Sequence, residues 1–406
     1  VHVVDENGQI AEPISERCRG CFLCVLACPK GAISVELNPE FKKLGDSYFT
    51  PERIETIYFE AGTGRVPVSG TGYKGPFAGR GFDSIWFDFS EIVRPTRDGI
   101  YGREYISTAV DLGREPPYLT FSNGNLTCNP PTIIEIPIPM ILDTPAYTPT
   151  IENLQLAVVK AAHKLETFAI VNVENYTEKL LPYSSNIIPR MKLDNVEKFK
   201  DLIKISRIIE VNIENESIGE DEVKHLIEYV KNINPSTLIS FRFIYNREAK
   251  EKAYILTRSG VDIIHMYTDD KAVRDKPDLI VNAIRQIHLY LVSKKVRDEI
   301  TFISSGGIAE VSHVPKSIAL GADAVCIGLP YQIALGCKVC YGGKHSEDRP
   351  LRVEKEDIEW AMQRIINLIG SWRDQLLEVL GGTGMRDARR LRGEMGRTMT
   401  YKVLEL

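Results

Sequence analysis

What this chain lacks narrows its reading first. No charge of one sign dominates: 50 basic residues against 55 acidic ones leave a formal net charge of −5 over 406 residues. Neither nucleic acid nor an anionic membrane surface is therefore expected as a partner. Long apolar runs are missing too. The most apolar stretch, TIIEIPIPMIL at 132–142, is too short to span a bilayer and contains Glu135 and two prolines. The opening residues VHVVDENGQIAEP show no basic segment followed by an apolar one, so no signal peptide is expected and the protein reads as soluble and cytoplasmic. No G-x-G-x-x-G follows a predicted strand, so any nicotinamide chemistry would have to act through another subunit. Cysteine is sparse, eight in all, yet four of the eight fall within the eleven residues 18–28.

That cluster, CRGCFLCVLACPKGAI, has the spacing C-x2-C-x2-C-x3-C-P. A tight loop with this spacing turns successive sulfurs toward one centre, and the run with its trailing proline is that of bacterial ferredoxins. A zinc site would usually pair two separated C-x2-C units, and this stretch holds no second, separated one. In two-cluster ferredoxins the last cysteine serves the other cluster, but no second run exists. Either Cys28 closes the first cluster, or it seeds a second one with Cys128, Cys337 and Cys340. The reading taken is one [4Fe–4S] cluster on Cys18, Cys21, Cys24 and Cys28, with a second cluster involving Cys337 and Cys340 less favoured. Phe22, Leu23, Val25 and Leu26 are expected to shield the cluster, Ile33 to pack beneath it, and Arg17 and Arg19 to offset its charge.

Residues 1–45 thus read as an iron–sulfur module. Residues 46–132, rich in Gly, Pro and aromatics, read as an ordered irregular segment wrapped over the main domain. From 133 to 375 short apolar runs alternate with amphipathic stretches. Strands are predicted at 139–144, 168–173, 187–192 (the weakest), 208–213, 238–243, 261–267, 300–305 and 323–328. Eight βα units match a (β/α)8 TIM barrel in number and length, and a doubly wound open sheet is the alternative. Residues 376–406 read as a basic helical tail. A barrel works at the C-terminal ends of its strands. Those ends carry Asp143, Asn172, Glu174, Asn212, Glu214, Arg242, His265, Tyr267, Ser304, Ser305 and Gly328.

The most informative stretch is ISSGGIAEVSHVPKSIALGADAVCIGLPYQIALGC, 303–337. Gly306 and Gly307 after the seventh strand would let backbone N–H groups approach a phosphate, with Gly328 opening a helix after the eighth. Barrels that bind FMN or phosphorylated substrates are built so; a glycine-lined turn with nothing bound is the plainer alternative. His265 could donate a proton to a substrate, or merely hydrogen-bond within the barrel mouth. His313 could touch phosphate or solvent. Cys326, inside a strand, reads as core packing. Acidic residues interleave with the tail arginines 386, 389, 390, 392 and 397, which suggests a docking helix or an electron-partner surface.

Residues 306–340, above all ALGADAVCIGLPYQIALGCKVC, resemble the FMN-binding domain of the glutamate synthase family. VKNINPSTLISFRFI and LLEVLGGTGMRDARRLRGEMGR also resemble that family, and an N-terminal ferredoxin-like cluster resembles its archaeal-type form. The resemblance implies a TIM barrel holding FMN, with Ser305, Gly306, Gly307 and Gly328 at the phosphate. It places Arg242 where the family usually has a lysine facing the flavin. It implies an FMN-dependent iron–sulfur oxidoreductase that reduces an imine such as 2-iminoglutarate, formed from 2-oxoglutarate and ammonia. Electrons would arrive through the cluster from ferredoxin or another donor subunit, in an oligomer or larger complex. Three strand ends depart from the family pattern: LDTPAYTP replaces a Ser-Phe-Gly type turn, NVENY a Gly-Glu-Gly-Gly turn, and HMYTDD a Gly-Gly-Thr-Gly loop. No glutamine amidotransferase segment is present. These departures motivate a second reading, a non-catalytic electron-transfer or scaffold subunit with a degenerate barrel site.

Overall fold

A computed structural model describes residues 2–4, 6–11, 21–36, 39–66, 79–87, 105–115, 120–127, 131–144, 152–213, 218–337, 339 and 358–400. The chain divides into two compact units, Val1–Leu44 and Gly45–Leu406.

The larger unit is built on eight parallel strands. They are β1 (Met140–Asp143), β2 (Ala169–Asn172), β3 (Ile187–Lys192), β4 (Ile208–Asn212), β5 (Leu238–Ile244), β6 (Ile263–Tyr267), β7 (Thr301–Ser305) and β8 (Ala324–Ile327). Each matches a strand expected from sequence. The order runs unbroken from β1 to β8, and β8 pairs back onto β1 through Val325–Met140, Cys326–Ile141 and Ile327–Leu142. This closure excludes an open doubly wound sheet. The strands are Ile- and Val-rich and buried on both faces, as parallel strands covered by helices must be. The amphipathic segments expected at 220–233 and 276–296 form the helices Glu220–Ile233 and Asp278–Ser293, and the latter stops at residues that are largely exposed.

The wrapping segment contributes a helix that sequence reading did not anticipate, Pro51–Thr63. Its punctuation is nonetheless present: Thr50 caps the N-terminus by accepting from the Arg53 N–H, Pro51 sits in the first turn, and Gly64 ends it at φ 66°. It packs on the long helix Ile358–Gly382, where Trp372 Nε1–H donates to Glu60 Oε2 at 2.9 Å. Val110–Gly113 pairs antiparallel with Ile133–Ile136. Tyr73, Phe77 and Phe89 of the aromatic stretch lie outside the described residues, while Phe82 is fully buried.

After Gly382 the tail forms short 3-10 turns at Ala388–Leu391 and Met395–Arg397 and a strand, Thr398–Thr400, paired with Ile85–Phe87. Two of its arginines face inward rather than toward a partner. Arg389 pairs with Asp111, Glu135 and Asp387. Arg392 pairs with Asp323 at 2.9 Å and Asp298 at 2.7 Å. Asp323 lies just before β8, so Arg392 tethers the tail to the N-terminal face of the barrel, opposite the strand ends.

Burial pushes the Glu60 carboxyl up from 4.5 to about 7, against the lowering effect of the Trp372 bond. A carboxyl raised on folding holds its proton more tightly when folded, so stability falls as pH rises from 4.5 to 7. Glu60→Gln keeps an acceptor for Trp372 without the buried charge. It should raise stability at pH 8 by up to ~3 kcal/mol and leave it nearly unchanged at pH 4. Thermal melts of both proteins at the two pH values check this.

Candidate active site

Charged side chains in the middle of apolar strands point into the barrel. Arg190 on β3 and Glu210 on β4 stand side by side in register. Arg190 Nε donates to Glu210 Oε1 at 2.6 Å, and its NH2 group donates to Asp143 Oδ2, at the end of β1, at 2.8 Å. Glu210 Oε2 meets His265 Nδ1 at 2.7 Å, and His265 Nε2 meets Ser305 Oγ at 2.8 Å. One polar chain, Asp143–Arg190–Glu210–His265–Ser305, therefore crosses five strands and ends at the barrel mouth. Glu210 is 1% exposed and His265 0%. Burial alone would raise the Glu210 carboxyl, but Arg190, and then His265, outweigh it and hold it well below the usual carboxylate range.

The mouth opens into a cavity of about 240 Å³ lined by Asp143, Arg242, Tyr267, Ser305, Gly307, Gly328 and neighbours. Arg242 lies over the Tyr267 ring at 3.6 Å and donates to Asn212 Oδ1 at 3.3 Å. Five residues expected at a site (Arg242, Ser305, Gly306, Gly307 and Gly328) thus share one cavity. His265 is behind its wall and reaches it through Ser305. Cys326, expected to be plain core, is buried but also lines the cavity, and burial pushes its thiol well up. Asp143, His265 and Cys326 bring potential metal ligands within 4.8 Å of one another, though both His265 nitrogens are already hydrogen-bonded.

The glycine loop is also constrained by the fold itself. Gly306 and Gly307 have φ of 86° and 69°, in the left-handed region. A Cβ on Gly306 would fall 2.0 Å from Thr268 O, and one on Gly307 2.5 Å from Val273 Cγ1. Both glycines are demanded by the protein's own packing. The Gly307 N–H donates to Asp270 Oδ1 at 2.9 Å. Tyr48 from the wrapping segment donates its hydroxyl to Gly307 O. His313 touches no solvent: it is fully buried beneath the loop, stacked on Phe82 at 4.4 Å, and burial with Arg53 holds it neutral by lowering its pKa well below 6.5. Arg53 in turn binds Asp83 at 2.6 Å and Glu310 at 3.1 Å, joining the wrapping helix to this loop.

Cys18 of the N-terminal unit lies outside the described residues, as do Cys128 and Cys340 of the larger unit. Cys21, Cys24 and Cys28 are free thiols around the short helix Leu23–Ala27. The Ala32 N–H donates to Cys28 Sγ at 3.3 Å, and this bond, with that of Lys30, lowers the Cys28 pKa. Phe22 takes a left-handed φ of 56°. Leu23 and Leu26 are 66% and 81% exposed, so the expected apolar shield stands open to solvent.

Sequence reading missed Arg190, Glu210 and Asp270. The signal was there: opposite charges sat inside adjacent predicted strands. Arg190→Met should leave two buried carboxylates without their shared cation and cost ~3–5 kcal/mol in a denaturant titration. The lowered Glu210 carboxyl contributes stability above 4.5 that is lost as pH falls through its folded value. Wild-type stability should therefore drop more steeply with acid below pH 4.5 than that of Glu210→Gln.

Residues 212–386 match the family model described as the conserved region in glutamate synthase. The chain is 25% identical, over 97% of its length and 89% of the relative's, to an archaeal-type glutamate synthase (NADPH) of Dehalococcoides mccartyi. It is 22% identical, over 97% of its length and 88% of the relative's, to an archaeal glutamate synthase (NADPH) of Archaeoglobus fulgidus. Among solved structures, a flavocytochrome b2 mutant with benzoylformate aligns with a TM-score of 0.50 at 11% identity, over 77% of this chain and 75% of that one, a likeness of fold. The chain is thus similar to the glutamate synthase family, through the conserved region at residues 212–386 and, to archaeal-type members, through nearly its whole length.

Proposed function

We propose that this protein is a flavin-dependent oxidoreductase of glutamate synthase type that reduces an imine at the barrel mouth. The observation that carries the reading is the convergence of Arg242, Tyr267, Ser305 and the Gly306–Gly307 loop on one cavity at the strand ends of a family barrel. Arg242 and Tyr267 with the apolar Ile244, Ile308 and Leu329 fit a flat, partly charged ring system. FMN is the flavin that the family resemblance implies, and when bound it supplies two-electron reduction. Arg242 would stabilise negative charge on the ring. His265, oriented by Glu210, holds Ser305 in place at the cavity wall. The overall change is 2-oxoglutarate plus ammonia, two electrons and two protons giving glutamate and water.

Cys18, Cys21, Cys24 and Cys28 would hold a [4Fe–4S] cluster, which when bound would supply one-electron transfer from ferredoxin or a donor subunit. The support is physical: no described residue of Val1–Leu44 is buried. A unit of this size without an apolar core usually needs a metal or disulfides to hold it. The relatives' names specify NADPH, which here would act through a nicotinamide-binding partner subunit. The alternative, a scaffold subunit with a degenerate barrel, draws on Asp270 seated on the Gly307 amide.

Two measurements test this reading. Anaerobic protein reduced with a viologen should form glutamate only when 2-oxoglutarate and ammonium are both present; absence of glutamate from flavin-loaded protein would favour the scaffold. Cys21→Ser should lose iron, from about four atoms per chain, while keeping flavin binding. Unchanged iron in that variant would remove the cluster from this segment.

A further inference from the structure

We propose that Asp270 occupies the place a flavin phosphate would take, so that this barrel selects a flavin with an uncharged, hydroxylated tail over one with a 5′-phosphate. The inference rests on the flavin reading above and concerns only which flavin. The Gly307 N–H, the donor a phosphate would need, is already engaged by Asp270 Oδ1 at 2.9 Å. The glycine pair owes its presence to contacts with Thr268 and Val273, so it is no sign of a phosphate. Among the described residues the cavity wall holds three carboxylates, Asp143, Asp269 and Asp270, and one cationic side chain, Arg242. Asp143 is balanced by Arg190. Asp269 accepts from the Lys271 N–H at 2.9 Å and stays beside the loop. Arg274, one turn beyond Asp270, is drawn off to Asp46 at 3.0 Å.

A phosphate dianion would have to displace one carboxylate from its donor and lie close to two, without a cation on that side of the described wall. A ribityl hydroxyl meets the opposite situation. It can donate to Asp270, leaving the Gly307 bond intact, and a hydrogen bond to a carboxylate is a strong one. The aspartates stand in the TDD turn after β6, one of the three strand ends that depart from the family pattern.

The test is flavin fluorescence quenching with riboflavin and with FMN, at one ionic strength, on the full chain. Wild type should bind riboflavin at least as tightly as FMN. Asp270→Ser, which removes the charge and frees the Gly307 N–H, should shift the ratio toward FMN by tenfold or more, equivalent to about 1.4 kcal/mol. Asp270→Asn, which keeps an acceptor for Gly307, should shift it less and guards against a folding defect in the serine variant. Wild type preferring FMN, with the ratio unmoved in both variants, would overturn the inference and leave the flavin reading standing. If no folded form binds either flavin, the flavin reading falls, and this inference with it.

Discussion

One buried cation organises the interior of this barrel. Arg190 joins a carboxylate on β1 to another on β4, with its side chain 8% exposed. Removing it would leave two buried carboxylates without their shared partner, and an unpaired buried charge is strongly disfavoured. With Arg190 present, Glu210 stays ionised and can only accept hydrogen bonds. His265 must then direct its Nδ1–H at Glu210, which leaves Nε2 for Ser305. A packing decision among three strands thus fixes the orientation of a hydroxyl at the cavity wall. The same arginine keeps Asp143 from adding uncompensated charge to the site.

The mouth is also braced from outside the barrel. The helix Pro51–Thr63 brings Arg53 to Asp83 and Glu310, and nearby Tyr48 to the carbonyl of Gly307. The loop that rims the cavity is therefore held by residues some 250 positions earlier in the chain, from a segment without a recognisable motif. Lys316, buried beside this cluster and donating to Phe82 O at 2.9 Å, has its pKa lowered by burial from 10.5 to about 8. The N-terminal unit stands in contrast. None of its described residues is buried, and its turn at 28–32 points the Ala32 N–H at the Cys28 sulfur.

The strands were readable because apolar runs separated by amphipathic helices have few alternatives, and all eight appear within two residues of where pattern placed them. The residues that converge at their ends followed from the barrel rule alone. Arg190 and Glu210 escaped because a charge in a strand is ordinarily taken as solvent-facing, and only closure turns that face inward. The glycine pair was read as an opening for a ligand, when Thr268 and Val273 already exclude any side chain there. The inward pairing of Arg389 and Arg392 was not legible because their partners, Asp111, Asp298 and Asp323, are distant in sequence and adjacent only once the barrel is closed. The helix at 51–63 carried legible caps, hidden by the glycine-rich residues that follow it.

The central claim is that this mouth binds a flavin, which Arg242 would help to hold. Equilibrium dialysis of the full chain against riboflavin and FMN, followed by acid release and a count of flavin per chain, addresses that most directly. The account predicts saturation at one flavin per chain and at least a tenfold weaker association for Arg242→Ala, since a desolvated cation facing the ring's charge is removed. Saturable binding that Arg242→Ala leaves intact, or no binding of either flavin by folded wild-type protein, would contradict it.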